Sequence, residues 1–347
     1  MSREFITQEI GSFRKPEYLS TTFRKGGTEV GILKERATLE TLELFRKSGI
    51  ENVGVGGEMF RWEMYEHLAE HMEGIKFHGF VRSFDNRYFR KGSVVSELRR
   101  TSPFHLDELR YVEAVAPEEI KVPITGAYTM MDWSFNEHYK DRHDLAMDFS
   151  DAIHQEIKEL RQEWISSGRS GPLQVQIDEP AATTHPSEMD ILRDTIERSI
   201  EGIQGCEFTI HVCYSTDYRI LYRSLADTKL HGYNLEFANR DTLRPGSDPE
   251  SRIAYQEVRD FADMLPDRFL GLGVTDVHID QIESPELIRD RISYAIKFLD
   301  PGRIRLNPDC GLRTRSREVG FGKLDNMVRA RDLIAEESLP SSSEGSP

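Results

Sequence analysis

The sequence predicts an α/β fold, a (β/α)8 TIM barrel with a hairpin and a helix inserted after its second strand. Two observations lead there. Short β-rich apolar runs alternate with longer amphipathic segments along nearly the whole chain, about eight times. In addition, the acids, histidines and cysteines that could carry chemistry collect at the ends of the apolar runs, where barrels of this kind place their active sites.

The predicted strands cover residues 5–11, 51–57, 121–129, 173–179, 207–213, 232–238, 268–274 and 303–308. Helical periodicity marks 37–49, 143–168, 250–265 and 284–299. Ser284-Pro285 is a plausible helix start and Gly168 a plausible stop. The long interval from residue 58 to 120 holds GIKFHGFVRSFDNRYFRKG, which reads as a hairpin, followed by SPFHLDELRYVEAV. An open doubly wound sheet fits less well, because no glycine-rich nucleotide turn accompanies the strands. We expect one catalytic barrel over residues 1–338 and a disordered tail over 339–347, which is small, polar and without apolar periodicity.

Composition narrows the function classes. The 347 residues are 38% hydrophobic and 30% charged, as in a globular protein. With 45 Lys and Arg against 60 Asp and Glu, the net charge is −15, which argues against a nucleic-acid partner. No apolar run approaches the ~20 residues that span a bilayer, so no membrane role is expected. MSREFITQEIGSF has no signal-peptide apolar core, and a cytoplasmic location is expected. Three cysteines offer no disulfide framework, and a reducing compartment leaves their thiols available for metal.

Four potential zinc ligands stand at strand ends: His211 and Cys213 in TIHVCYS, Glu236 in YNLEFANR, and Cys310 in LNPDCGLRTR. Residues two apart on a strand share a face, so His211 and Cys213 present imidazole and thiol side by side. A buried carboxylate at Glu236 needs a partner. Nitrogen, sulfur and carboxylate oxygen suit Zn2+, whereas thiolates disfavour magnesium and calcium. A histidine and cysteine in one strand are more often a packed core pair. It is the carboxylate of Glu236 and the second thiol, Cys310, on other strands that favour metal here. Cys206, at the start of its strand, reads as core.

Other polar residues share the strand-end position: Ser12, Glu58, Asp178, Glu179, Asp276 and His278. Taken singly, each is more often a helix cap or surface charge. Together they suggest a polar pocket for a small zwitterion, with carboxylates for its amino group, backbone N–H groups near Gly11 and Ser12 for its carboxylate, and His278 to move protons.

IGSF at 10–13, GGEMFRWEM at 56–64, GAYTMMDWSF at 126–135, QIDEPA at 176–181, HVCYS at 211–215, GLGVTDVH at 271–278 and NPDCGLRTR at 307–315 resemble, in order and nearly end to end, the C-terminal catalytic barrel of the cobalamin-independent methionine synthase family. The resemblance implies a zinc-dependent homocysteine S-methyltransferase that makes L-methionine. It implies His211, Cys213, Glu236 and Cys310 as zinc ligands, and Ile10, Gly11, Ser12, Glu58 and Asp178 as residues binding L-homocysteine. His278 matches the family's acid, with Asp276 beside it. Trp133 stands where the family has a tryptophan facing the methyl donor. The sequence is similar to short, core-only members without the N-terminal barrel that helps to hold folate. The expected donor is therefore methylcobalamin or a methylated corrinoid protein, with methyltetrahydrofolate as the alternative. Asp276-Val-His278 begins like a corrinoid-binding signature, but Gln281 stands where that signature needs glycine.

Three other chemistries weigh less. Coenzyme M alkyl or methyl transfer would need a cationic clamp and has less use for Glu58 and Asp178. Uroporphyrinogen decarboxylation needs an arginine-rich pocket and no thiols. A purely structural zinc site usually draws its ligands from closely spaced loop residues.

Overall fold

Unbroken apolar runs mark strands at the middle of a parallel sheet, because a strand covered on both faces has no solvent side to make polar. In the computed structural model, which describes residues 5–82 and 88–337, these runs form the middle of one sheet. The strands in chain order are β1 (Ile6–Thr7), β2 (Met72–Arg82), β3 (Tyr88–Arg100), β4 (Lys121–Thr125), β5 (Phe135–Asn136), β6 (Leu173–Asp178), β7 (Cys206–Val212), β8 (Gly232–Leu235), β9 (Phe269–Thr275) and β10 (Ile304–Pro308). The helices are α1 (Glu17–Ser20), α2 (Thr28–Ser48), α3 (Met64–Ala69), α4 (Leu106–Val115), α5 (Ala127–Asp132), α6 (Arg142–Ser166), α7 (Met189–Ile200), α8 (Arg219–Leu225), α9 (Glu257–Met264), α10 (Pro285–Ala295) and α11 (Arg317–Glu337).

Seven strands pair in parallel in the order β1-β10-β9-β8-β7-β6-β4. The predicted second strand, over 51–57, does not form. In its place Asn52 alone bridges Gln8 on one side and Glu119 on the other, so one residue links the two edges of the curled sheet. The reason lies just beyond it: Gly54, Gly56 and Gly57 all have positive φ, which turns the chain away from extended geometry. The first strand is likewise short, with two paired residues followed by the Gln8 bridge.

Between Asn52 and β4 the chain makes α3, the antiparallel pair β2–β3 and α4; β5 adds to β3 in parallel. The expected tail at 339–347 lies outside the described residues.

Helix ends follow local chemistry. Asp141 caps α6 by accepting from the Asp144 N–H at 2.8 Å, and Ser284 caps α10 through the Leu287 N–H with Pro285 in the first turn. Along α6, Leu145, Phe149, Ile153, Ile157, Leu160 and Trp164 recur at helical spacing and are all buried. Burying each such side chain stabilises the fold by roughly 1.5–3 kcal/mol. Two expected elements are shorter than their periodicity. The helix over 250–265 is a 3-10 turn (Ala254–Gln256) and then α9, and the apolar run 121–129 turns from strand to helix after Thr125. Among the described residues, no helix is long and apolar enough to cross a membrane.

Candidate metal centre and substrate pocket

Parallel strands point their C-terminal ends the same way, and these ends carry the polar residues. Asp178 ends β6, His211 and Cys213 lie at the end of β7, Glu236 follows β8, Asp276 and His278 follow β9, and Cys310 follows β10.

The side chains of His211, Cys213 and Cys310 converge, with one donor atom from each lying within 4.8 Å of the others. His211 Nδ1 is 2.9 Å from the Asn234 carbonyl. Donating there, it leaves Nε2 as the nitrogen that faces the thiols, the arrangement by which a backbone carbonyl orients a metal-binding imidazole. Nε2 lies 3.3 Å from Cys310 Sγ. Around zinc, with bonds of about 2.05 Å to nitrogen and 2.3 Å to sulfur, a tetrahedral edge between these atoms would be about 3.6 Å. The donor set and its spacing therefore fit a zinc ion. Cys213 donates a hydrogen bond to Cys310, and with His211 opposite this holds the Cys310 thiol well below its ordinary range. The proton stays on Cys213, whose own ionisation is pushed up by that hydrogen bond and by burial. A thiolate, the form that binds metal, is thus already favoured at Cys310.

Glu236 stands outside this group of donors. Its Oε2 accepts from the Tyr214 N–H at 2.5 Å and from Asn239 Nδ2 at 3.1 Å, while Oε1 faces His278 Nε2 at 3.1 Å. The structure therefore joins three of the four expected ligands and holds the fourth, fully buried, on a neighbouring set of partners. Burial alone would lower the basicity of His278, but its hydrogen bond to Glu236 and that carboxylate's charge outweigh burial and push it up to about 9. Asp276 accepts from the His278 backbone N–H at 2.8 Å, and its own N–H donates to Glu283, so it shapes the turn that carries the imidazole.

A cavity of about 130 Å³ opens beside the thiols. Its walls include Ile10, Gly11, Ser12, Glu58, Asp178, His211, Cys213, His278 and Cys310, and on the outer side Tyr88, Phe89 and Trp133. The expected substrate residues are therefore brought together in one place. Ser12 packs against Gly311, where an added Cβ would lie 2.3 Å from the Ser12 hydroxyl oxygen. Only glycine lets the β1 and β10 loops approach so closely. Burial pushes the Asp178 carboxyl up to about 7, with the nearby Glu58 adding to the rise and His211 opposing it. Two wall residues hold strained backbone: Glu58 has φ +59° and Tyr214 φ +58°, without being glycine. Such conformations cost on the order of 1 kcal/mol or more and concentrate at functional sites. Trp133 caps α5 and lies 5.5 Å from Phe89, ring centre to ring centre.

Several wall and support residues carried no signal in the sequence. Tyr214, Tyr88, Phe89 and Arg313 come from loops and the hairpin. Gln176 and Asp309 were legible in principle. Gln176 stands two residues before Asp178 on one strand face, and Asp309 adjoins Cys310; its carboxylate accepts from the N–H groups of Phe237, Ala238 and Asn239.

Comparison with known proteins gives the family. Residues 5–332 match the family model described as the catalytic domain of cobalamin-independent synthase. A methionine synthase of Thermoplasma acidophilum is 55% identical over 341 residues, covering 96% of this chain and 98% of that one. A methionine synthase of Pyrococcus furiosus is 36% identical over 340 residues, covering 95% and 93%. Among solved structures, a B12-independent methionine synthase from Shewanella sp. W3-18-1, in complex with selenomethionine, superposes with a TM-score of 0.81 at 24% identity, covering 96% of this chain and 99% of that one, a likeness of fold. The description of the matching family runs against the expected corrinoid donor, which is corrected accordingly. The chain belongs to the cobalamin-independent methionine synthase family, by its catalytic domain.

Proposed function

We propose that this protein is a zinc-dependent homocysteine S-methyltransferase that forms L-methionine, with methyltetrahydrofolate as donor, residues 1–338 acting as one catalytic unit. The observation that carries the reading is the convergence of His211, Cys213 and Cys310 on a cavity that also holds Ser12, Glu58 and Asp178. The family's description as cobalamin-independent favours the folate over a corrinoid.

Zinc bound by His211, Cys213 and Cys310 would supply the Lewis acidity that keeps a substrate thiol, with a pKa near 8.5 when free, deprotonated at neutral pH. Everything else falls to the chain. Asp178, Glu58 and the Ile10 carbonyl receive the ammonium group of homocysteine, and the N–H groups about Gly11 and Ser12 receive its carboxylate. That places the thiol toward the cysteines. The sulfur attacks the donor's methyl carbon as the bond from methyl to N5 breaks, and N5 takes up a proton. His278, held protonated by Glu236, is the group placed to give that proton, with Asp276 fixing its turn. Trp133 offers a flat face for the pterin. Glu236 would be the fourth zinc ligand, and the one to yield its place to the substrate's sulfur.

The test is methionine formation from homocysteine by the zinc-loaded protein, with methyltetrahydrofolate and methylcobalamin offered separately. Methionine from the folate, lost on chelation and regained with zinc, is the expected result. Methionine from methylcobalamin alone would overturn the donor assignment, and none from either would overturn the reaction.

A further inference from the structure

We infer that Gln176 is a positioning residue that sets the two acceptors awaiting the substrate's amino group, Asp178 and the Ile10 carbonyl. The inference rests on the homocysteine reading above and deepens it. Gln176 lies on β6 with no exposed surface. Its amide nitrogen has two hydrogens, and each has a partner: the Ile10 carbonyl oxygen at 2.7 Å and Asp178 Oδ1 at 2.7 Å. One planar group thus fixes the spacing and direction of two oxygens, one from the loop after β1 and one from the end of β6.

The orientation of this amide is imposed from below. Asn234 Nδ2 donates to Gln176 Oε1 at 2.8 Å, and Asn234 Oδ1 accepts from Gln8 Nε2 at 2.9 Å. Gln8 Nε2 also donates to Asn307 Oδ1 at 3.1 Å, and Asn307 Nδ2 donates to the Pro308 carbonyl at 2.9 Å. Turning Gln176 over would set its oxygen against two other acceptors and its NH2 against the Asn234 NH2. Each amide fixes the next, so the layer of side chains from β10, the β1 edge, β8 and β6 has a single consistent arrangement. The backbone carbonyl of Asn234 meets His211 Nδ1, so the residue whose side chain holds the Gln176 amide touches the metal-side imidazole through its main chain alone. An apolar residue at 176 would fill the space and leave both oxygens to turn.

The test compares two thiols on the zinc-loaded protein: homocysteine and 4-mercaptobutanoate, which lacks only the amino group. Calorimetry gives each dissociation constant, and steady-state kinetics separates KM from kcat. Gln176→Met is expected to weaken homocysteine by about tenfold or more, the scale of one misplaced charged hydrogen bond. Binding of 4-mercaptobutanoate and zinc content should stay near those of the parent, and the kinetic loss should fall mainly on KM. Gln176→Ser, which leaves room for a water able to donate the same bonds, is the fallback if the methionine variant does not fold, with a smaller loss in the same direction. Equal weakening of both thiols, or no weakening of homocysteine, would overturn the inference. Asp178→Asn run in parallel separates the two levels. If it discriminates between the thiols and the Gln176 variants do not, the inference alone fails. If Asp178→Asn treats both thiols alike, the amine assignment fails and takes the inference with it.

Discussion

His211 Nδ1 lies 2.9 Å from the carbonyl oxygen of Asn234, and this single bond decides which face of the imidazole meets the thiols. A carbonyl only accepts, so Nδ1 carries a hydrogen and Nε2 is the nitrogen left to face Cys310 and a metal. The partner is backbone, which makes this orientation independent of the Asn234 side chain.

Removing one sulfur should cost metal before it costs fold. Cys310→Ser is expected to weaken zinc by at least ~100-fold, more than the effect of losing a mere supporting contact, and to abolish turnover. Cys310 sits at the rim of the sheet while the apolar core lies beneath it. A chelator competition titration and a thermal melt check this. A melting temperature that collapses along with the metal would show that the site is structural.

Asp178→Asn keeps the shape of the side chain and removes its charge. Homocysteine affinity is expected to fall about 10- to 100-fold, the worth of a hydrogen bond to a charged group. Zinc content should be unchanged, because Asp178 is not among the clustered donor atoms. Unchanged affinity would remove Asp178 from the amine cradle.

Gly11→Ala addresses the opposite carboxylate. A Cβ at Gly11 would lie 2.5 Å from Glu58 Oε1 and 3.5 Å from the Pro123 side chain. The Glu58 carboxylate must then move, whereas the contact with Pro123 is an ordinary one. A rise in homocysteine KM of about tenfold is expected, with a stability loss within about 1–3 kcal/mol. Kinetics with a urea titration of the same variant would check both halves, and an unaltered KM would place Glu58 outside the amine site.

Acid should destabilise the protein through a group remote from the metal. His105 is buried, and burial, with help from Arg61, His71 and Arg100, holds its basicity well below the usual 6.5. The unfolded chain takes up this proton first as pH falls. The contribution to stability is therefore complete above about pH 6.5 and is lost below it, by up to about 1.4 kcal/mol per pH unit. Urea midpoints at pH 7.5 and 5.5 should differ, and His105→Gln should reduce the difference. An equal difference in that variant would assign the acid sensitivity elsewhere.

The sequence by itself determined the α/β alternation, the strands of the sheet interior and the identity of the chemical groups. Period and composition are local properties, and strand-end placement follows from them. His211 and Cys213 on one face, with Cys310 on another strand, were legible for that reason. The tertiary structure alone decided the rest. Asn52 replaces a strand because three left-handed glycines follow it, a backbone choice that an apolar run does not reveal. Glu236 stands with Tyr214, Asn239 and His278 instead of the thiols, because hydrogen-bond donors from three separate loops converge on it. Gln176 reaches Asp178 along its own strand, but it bonds to the Ile10 carbonyl only once the chain after β1 packs across from β6. Contacts between residues more than a hundred positions apart are set by packing, and no local pattern encodes them.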